Sequence, residues 1–178
     1  GKEILKKYEV DINKLMHETN YINSNYVYDI NQIIECQQNR YPVLLIDRII
    51  SIQPGYEAVG LKCFTYNEWF FPAHFADDPN VPGFVQVESL VQTFIMTFLS
   101  LEKYKGMKTN FVSINNIKFK RKIIPGDQLI IKAKLNSIKR GLASGNAIGK
   151  IEGETACYAE FIVSIPEELE KYKPKLKK

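Results

Sequence analysis

The sequence is poor in the residues that bind metals or form disulfides. Its 178 residues include only three cysteines and two histidines. The cysteines, Cys36, Cys63 and Cys157, are odd in number, have no Cys-x-x-Cys spacing and are accompanied by no cluster of histidines. These absences argue against a disulfide framework and a zinc site, and they favour a reducing cytoplasm. We therefore expect no metal ion and a cytoplasmic location.

The sequence also lacks a segment suited to a membrane and a surface dedicated to nucleic acid. No charged and then apolar leader stands at its start. The one long apolar stretch, 84–101, contains Gln86, Glu88 and Gln92, which are costly in lipid, so it indicates a core helix. The net charge is +4, but five lysines fall within residues 171–178. We expect neither a membrane nor a nucleic acid as partner.

The length corresponds to about one domain with additions at both ends. Residues 1–28 are charged and rich in asparagine, with apolar positions at helical spacing, and they predict an N-terminal extension of short helices. The main domain is expected over residues 29–165. Pro166, followed by two glutamates, predicts a short C-terminal helix and then a basic tail, together spanning residues 166–178.

The hydrophobic pattern predicts an α+β fold. Asp29 is suited to cap a short helix over 29–38. Residues 43–53 and 56–66 read as a β-hairpin around Pro54-Gly55. A helix over about 83–104 is apolar on most of its circumference, which is typical of a helix surrounded by protein. Four further strands are predicted over 111–119, 128–138, 143–152 and 155–164. The order predicts a curved antiparallel sheet wrapped around one long central helix.

The stretch 69–92 combines the groups that acid–base chemistry needs. His74 lies in a loop, and Pro82-Gly83 starts the long helix, whose first N–H groups are free to hold an oxyanion. Glu88 and Gln92 are one helical turn apart, so the amide is placed to orient the carboxyl. Burial on an apolar helix is expected to raise the pKa of Glu88. These parts suit proton abstraction beside a carbonyl and loss of a β-hydroxyl, although a structural histidine and an interfacial glutamate remain open alternatives.

Four separated motifs carry a resemblance to a known family. They are RYPVLLIDRI (40–49), NEWFFPAHF (67–75), PNVPG followed by ESLVQ (79–92), and IKFKRKIIPGDQL (117–129). In this order, and with this His-to-Glu spacing, they resemble the β-hydroxyacyl-acyl carrier protein dehydratases of FabZ type. The resemblance covers about residues 29–165 and implies the hot-dog fold.

The resemblance also implies a mechanism and partners. His74 matches the family's catalytic histidine as base, and Glu88 matches its catalytic glutamate as acid, supplied by the partner subunit of a homodimer. Gly83 lies near the amides that bind the oxyanion. The substrate is carried on the phosphopantetheine of acyl carrier protein, and the products are a trans-2-enoyl thioester and water. No metal or redox cofactor is implied, and a trimer of dimers is the larger assembly to consider.

The chain departs from the family pattern at several positions. In the GHFPG motif, Ala73 and Asp77 stand in place of the two glycines, and Ala76 stands in place of the proline. Asn39 replaces the histidine before RYP, Ser89 replaces the alanine after the glutamate, and Lys122 replaces the proline of the RRP segment. Loss of glycine removes easy access to positive φ, so we expect the His74 loop, and with it substrate choice, to differ from the family.

A basic segment begins within the predicted third strand, 111–119, and continues beyond it. Lys118, Lys120 and Lys122 alternate with apolar residues and are expected on the outer face, where they are either a solvated surface or a docking site for an acidic carrier protein. Arg121 is expected on the opposite side, as a candidate contact to phosphopantetheine.

Two other functions fit the same fold. An acyl-thioesterase would need a water activated beside Glu88, and it leaves His74 without a clear task. A non-catalytic module that binds acyl thioesters is favoured by the replaced loop glycines.

Overall fold

The computed structural model describes residues 27–172. Almost all of the predicted N-terminal extension and most of the basic tail lie outside this range, so those expectations stay predictions. Within it the helices are α1 (Ile30–Cys36), α2 (Gly83–Leu99) and α3 (Pro166–Glu170). The strands are β1 (Arg48–Gln53), β2 (Glu57–Cys63), β3 (Asn110–Phe119), β4 (Gln128–Lys139), β5 (Leu142–Ile151) and β6 (Glu154–Ser164).

All six strands form one antiparallel sheet in the order β1-β2-β4-β5-β6-β3. The helix α2 packs against β2, β4, β5 and β6. Tight turns set the hairpins: both Arg140-Gly141 and Glu152-Gly153 place two consecutive residues at positive φ, as two-residue hairpin turns require. One sheet wrapped around one long helix is the hot-dog fold, which confirms the predicted fold class.

The helix α2 is buried on nearly all sides because the sheet comes unusually close to it. A Cβ on Gly60 would overlap Thr93, and a Cβ on Gly145 would overlap the Phe94 ring and a carbonyl of β4. Hydroxyl groups on the helix bond to its own backbone; the Ser89 Oγ donates to the Val85 carbonyl at 2.8 Å. The polar residues of α2 therefore enter the core without unpaired hydroxyls.

The two largest differences between predicted and observed boundaries have physical reasons. The first strand begins at Arg48 rather than at residue 43, because the N–H groups of Leu45 and Ile46 bond to the Gln92 side chain instead of to a strand. The long helix ends at Leu99 rather than at 104. Beyond it the chain forms turns, and the Gly106 N–H donates to the Cys36 carbonyl at 3.0 Å.

The two edge strands of the sheet, β1 and β3, differ in whether another segment covers them. The β1 edge is covered, since Ile49 exchanges backbone hydrogen bonds with residues 27 and 28. The β3 edge pairs only with β6 and leaves four large apolar side chains about half exposed: Phe111, Val112, Ile117 and Phe119. An apolar open edge is a surface that commonly pairs with another chain.

The close approach of α2 to β5 gives a stability prediction. Gly145→Ala should lower the free energy of unfolding by about 1–3 kcal/mol, because the new methyl group meets the Phe94 ring and the Lys134 carbonyl. Asn146→Ala, at the next position and facing the other side of the sheet, should change it by less than about 0.5 kcal/mol. Urea denaturation of both variants measures this, and equal costs would contradict the packing described.

Candidate active site

His74 is held by a series of turns in the loop between β2 and α2. At the start of this loop the buried Lys62 ammonium pairs with Glu68 at 2.6 Å. The Phe71 N–H then donates to the Glu68 carbonyl, and the His74 N–H donates to the Phe71 carbonyl, both at 3.2 Å. The two turns share Phe71, so they connect His74 to Glu68, which the ion pair with Lys62 holds in place.

A backbone carbonyl selects between the two tautomers of the His74 ring. Its Nδ1 lies 3.0 Å from the Asn80 carbonyl oxygen. A carbonyl only accepts, so in the neutral ring the proton is on Nδ1 and the lone pair is on Nε2. The side chain is half-buried and stacks on Phe75, with ring centroids 4.3 Å apart. The arrangement presents Nε2 as a base.

The substituted positions of this loop do not adopt the conformation that favours glycine. Ala73, Ala76 and Asp77 are exposed, and none of them adopts a positive φ. The loop is tied to the segment after β3 by a hydrogen bond of 2.8 Å from the Val81 N–H to the Ile123 carbonyl. An ion pair between Asp78 and Lys122, one of the substituted positions, adds a second link.

Glu88 lies in the second turn of α2, half-buried. Its Oε1 accepts hydrogen bonds from the Gln92 Nε2 at 2.7 Å and from the Asn39 Nδ2 at 3.0 Å. Burial raises the pKa of the Glu88 carboxyl, and these two hydrogen bonds, which stabilise the charged form, oppose part of that rise. The result is a carboxyl that holds its proton to higher pH than an exposed glutamate does.

The backbone of residues 43–46 fixes the orientation of the Gln92 side-chain amide. The residue is fully buried, and its Oε1 accepts from the Leu45 N–H at 2.8 Å and the Ile46 N–H at 3.3 Å. Its Nε2 donates to the Val43 carbonyl at 2.5 Å as well as to Glu88. Because the backbone of 43–46 can bond to the amide in only one orientation, the NH₂ group must face the carboxyl.

The start of α2 offers unpaired donors. Pro82 precedes the helix without a side-chain cap, and within residues 27–172 the N–H groups of Gly83 and Phe84 have no hydrogen-bond acceptor. The Phe119 ring covers Gly83 so closely that a Cβ there would lie 2.9 Å from the ring Cζ. These donors are suited to an anionic oxygen.

Glu88 and His74 line different cavities in the single chain. Glu88 lines an apolar cavity of about 610 Å³ with Phe84, Val87, Phe111 and Ile117 among its walls. His74 lines a cavity of about 460 Å³ that does not include Glu88. Gly83 and Phe119 contribute to both, so they stand between the two.

The basic residues after β3 depart from the expected alternation. The strand ends at Phe119, and Lys120, Arg121 and Lys122 all line the His74 cavity, whereas alternation placed Arg121 on the opposite side. The Arg121 guanidinium pairs with Glu154 at 3.3 Å. Lys118 is exposed on β3 and does not line that cavity.

Sequence reasoning missed two contributors to the site. Asn39 was visible only as a departure from the family motif, and its contact to Glu88, 49 residues away, has no local signal. Gln86 is 5% exposed and lines the His74 cavity, with its Nε2 donating to the Val81 carbonyl at 3.0 Å. Its polarity on an apolar helix was the available signal.

Over residues 27–172, no three His, Cys, Asp or Glu side chains are grouped so that they would hold a metal ion. Over the same residues, no helix has both the length and the apolar character to cross a bilayer.

The hydrogen bonds at Glu88 give a pKa prediction. NMR titration of the wild type should place the pKa of Glu88 above the ordinary glutamate value of 4.5. Asn39→Ala should raise it further, because the variant loses a donor to the charged form. Asn115→Ala, which removes the same group from an exposed position on β3, serves as control. A pKa of Glu88 that falls or stays unchanged in Asn39→Ala would contradict the role given to this hydrogen bond.

The chain was compared with known proteins. It matches the family model described as FabA-like domain over residues 38–162. It is 40% identical over 139 residues to 3-hydroxyacyl-[acyl-carrier-protein] dehydratase FabZ of Exiguobacterium sibiricum, and 39% identical over 139 residues to the protein of the same name from Caldicellulosiruptor saccharolyticus. Each match covers 78% of this chain and 99% of the relative.

The fold is also found among solved structures. The ApeI:P dehydratase heterocomplex from Xenorhabdus doucetiae contains a chain that superposes with a TM-score of 0.67 at 13% identity, covering 80% of this chain and 97% of that one. At this identity the likeness shows the fold alone. The family model and the identity to the FabZ relatives over nearly their whole length show that the chain belongs to the FabZ-type 3-hydroxyacyl-acyl carrier protein dehydratases.

Proposed function

We propose that this chain is a hydro-lyase of fatty-acid biosynthesis that dehydrates a 3-hydroxyacyl thioester on acyl carrier protein to a trans-2-enoyl thioester. The observation that carries the proposal is the Glu88 carboxyl: it has a raised pKa, is oriented by Gln92 and stands in the wall of an apolar cavity of about 610 Å³. An acid that stays protonated beside a space for an acyl chain suits loss of a hydroxyl group.

The reaction begins with the base. The Nε2 of His74 takes the proton from C2, and the electrons of that C–H bond move into an enolate whose charge rests on the thioester oxygen. The Asn80 carbonyl holds the Nδ1 proton and so keeps Nε2 available. The free N–H groups of Gly83 and Phe84 are the donors for the enolate oxygen.

The reaction ends with the acid. The enolate electrons reform the carbonyl and make the C2–C3 double bond, and the C3–O bond breaks as Glu88 gives its proton to the departing hydroxyl. Because burial raises the pKa of Glu88, the acid is still present at pH values where an exposed glutamate has lost its proton. The rate therefore falls as the pH rises through the pKa of Glu88.

A homodimer supplies both groups to one site. His74 and Glu88 line different cavities of one chain, and the open β3 edge beside them exposes apolar side chains. Pairing of this edge with a second copy covers those side chains and brings Glu88 of the partner subunit to His74. A trimer of dimers stays a prediction.

The basic segment suits an acidic carrier protein. Lys120 and Lys122 are exposed at the cavity that contains His74, and Arg121 lies between them, while Lys118 extends the positive surface along β3. Positive charge at this entrance attracts the carrier and the phosphate of its phosphopantetheine. No metal or redox cofactor takes part in the proposed reaction.

Dehydration is favoured over the two alternatives. A thioesterase would not use His74, whose tautomer is fixed and whose Nε2 is presented as a base. A binding module without catalysis was favoured by the replaced glycines, but the loop adopts no conformation that requires glycine. The named activity of the FabZ relatives agrees with dehydration.

Variants of the two proposed catalytic residues test the reaction. His74→Ala and Glu88→Gln should each lower kcat by about 10²–10⁴-fold, because each removes one proton-transfer group. Absorbance of the enoyl thioester measures the rate, and Asn115→Ala should retain the wild-type value. Release of free thiol without a change in enoyl absorbance would instead support a thioesterase.

Mixing the inactive variants tests the shared site. A dimer that combines a His74→Ala chain with a Glu88→Gln chain keeps one intact site, formed by His74 of one subunit and Glu88 of the partner subunit. Random pairing should therefore restore about a quarter of the wild-type activity. If both residues served the same site within one chain, the mixture would stay inactive.

The carrier surface is tested by reversing one charge. Lys120→Glu should raise KM several-fold for substrate on acyl carrier protein, with little change for a short thioester that lacks the protein, because only the carrier is acidic. Lys150→Glu, an exposed lysine on β5, is the matched control. Equal KM changes for the two variants would contradict docking at this segment.

A further inference from the structure

A second, smaller cavity also reaches Glu88. It has a volume of about 80 Å³, and Glu88 and Phe111 line both it and the large apolar cavity. Its polar walls come from Asn39, Thr109 and Asn110. At about 30 Å³ per molecule, the space suits two or three water molecules.

The polar groups of this cavity have hydrogen-bonding capacity to spare. Asn39 uses its Nδ2 on Glu88, and its Oδ1 has no partner among the described residues. Within residues 27–172, the side chains of Thr109 and Asn110 make no hydrogen bond to protein. An ordered water needs two to four polar partners, and these side chains together with the Glu88 carboxyl supply them.

The proposed reaction creates a need for such water. After one dehydration Glu88 has lost its proton, His74 has gained one, and a water molecule has formed next to Glu88. Before the next turnover that water must leave and a proton must return to the carboxylate. The large cavity has no side chain besides Glu88 that would hold water or pass a proton, because its other described walls are apolar or glycine.

We propose that the small cavity is a water chamber: it receives the product water and returns a proton to Glu88 through water molecules held by Asn39, Thr109 and Asn110. The inference rests on the proposed function and adds a binding site for water to it. The proton comes from solvent: a chamber water gives one proton to the Glu88 carboxylate and receives one from the next water, so no hydroxide is left, while the proton on His74 leaves to solvent from the other cavity.

Rapid-quench kinetics with the full chain and 3-hydroxyacyl carrier protein test the chamber. Asn110→Leu and Thr109→Val keep side-chain size and remove polarity from the chamber. The first turnover of each site should match the wild type, because the enzyme starts with Glu88 protonated. Later turnovers should slow by roughly tenfold, within the range of a single proton-transfer contribution, and so produce a burst of one enoyl product per site.

Asn115→Leu makes the same substitution on the same strand, away from the chamber, and should show the wild-type ratio of first-turnover to steady-state rate. A ratio that is unchanged in both chamber variants overturns the proposal, including the case in which both rates fall together. Wild-type enzyme that forms no enoyl product would instead refute the proposed function.

A high-resolution crystal structure of the wild type gives a second readout. Ordered water bonded to Asn39, Asn110 or Thr109 and to Glu88 supports the chamber. A dry cavity, or one filled by a side chain of the partner subunit, overturns it.

Discussion

The amide of Gln92 is the interaction on which the site depends. It is fully buried, and all four of its hydrogen bonds are made: two accepted from the backbone of residues 45 and 46, one donated to residue 43, and one donated to Glu88. A buried amide with unmade bonds would be costly, so the structure holds it in one orientation. The same group thereby delays the start of β1 to Arg48, attaches residues 43–46 to α2 and sets the direction of the carboxyl.

The surroundings of α2 explain why a carboxyl there is useful. Gly60 and Gly145 let the sheet close around the helix, and that closure removes water from most of its length. Burial is the main cause of the raised pKa of Glu88, while Asn39 and Gln92 limit the rise by bonding to the charged form. His74, the proposed base, is positioned in a different way: the buried Lys62 ammonium pairs with Glu68 and anchors the turns that end at His74.

A single chain does not bring His74 and Glu88, the proposed proton-transfer groups, into one cavity. Phe119 and Gly83 stand between them, and β3, which carries Phe119, is the uncovered edge of the sheet. The strand β3 therefore lines both cavities and is also the edge that we propose pairs with a second copy. The small polar cavity beside Glu88 is also lined by the start of β3, at Asn110 and Phe111.

The sequence by itself determined the fold class and the local pairings. Runs rich in β-branched and aromatic residues between turn signals predicted the strands, a helix apolar on most of its circumference predicted central burial, and the i,i+4 spacing predicted that Gln92 would meet Glu88, because each depends on neighbours along one element. Only the tertiary structure decided the contact of Asn39 with Glu88, the start of β1 at Arg48 and the position of Arg121 beside the lysines. Those features arise where distant segments compete for the same hydrogen bonds or where a strand ends, and local periodicity carries no information about either.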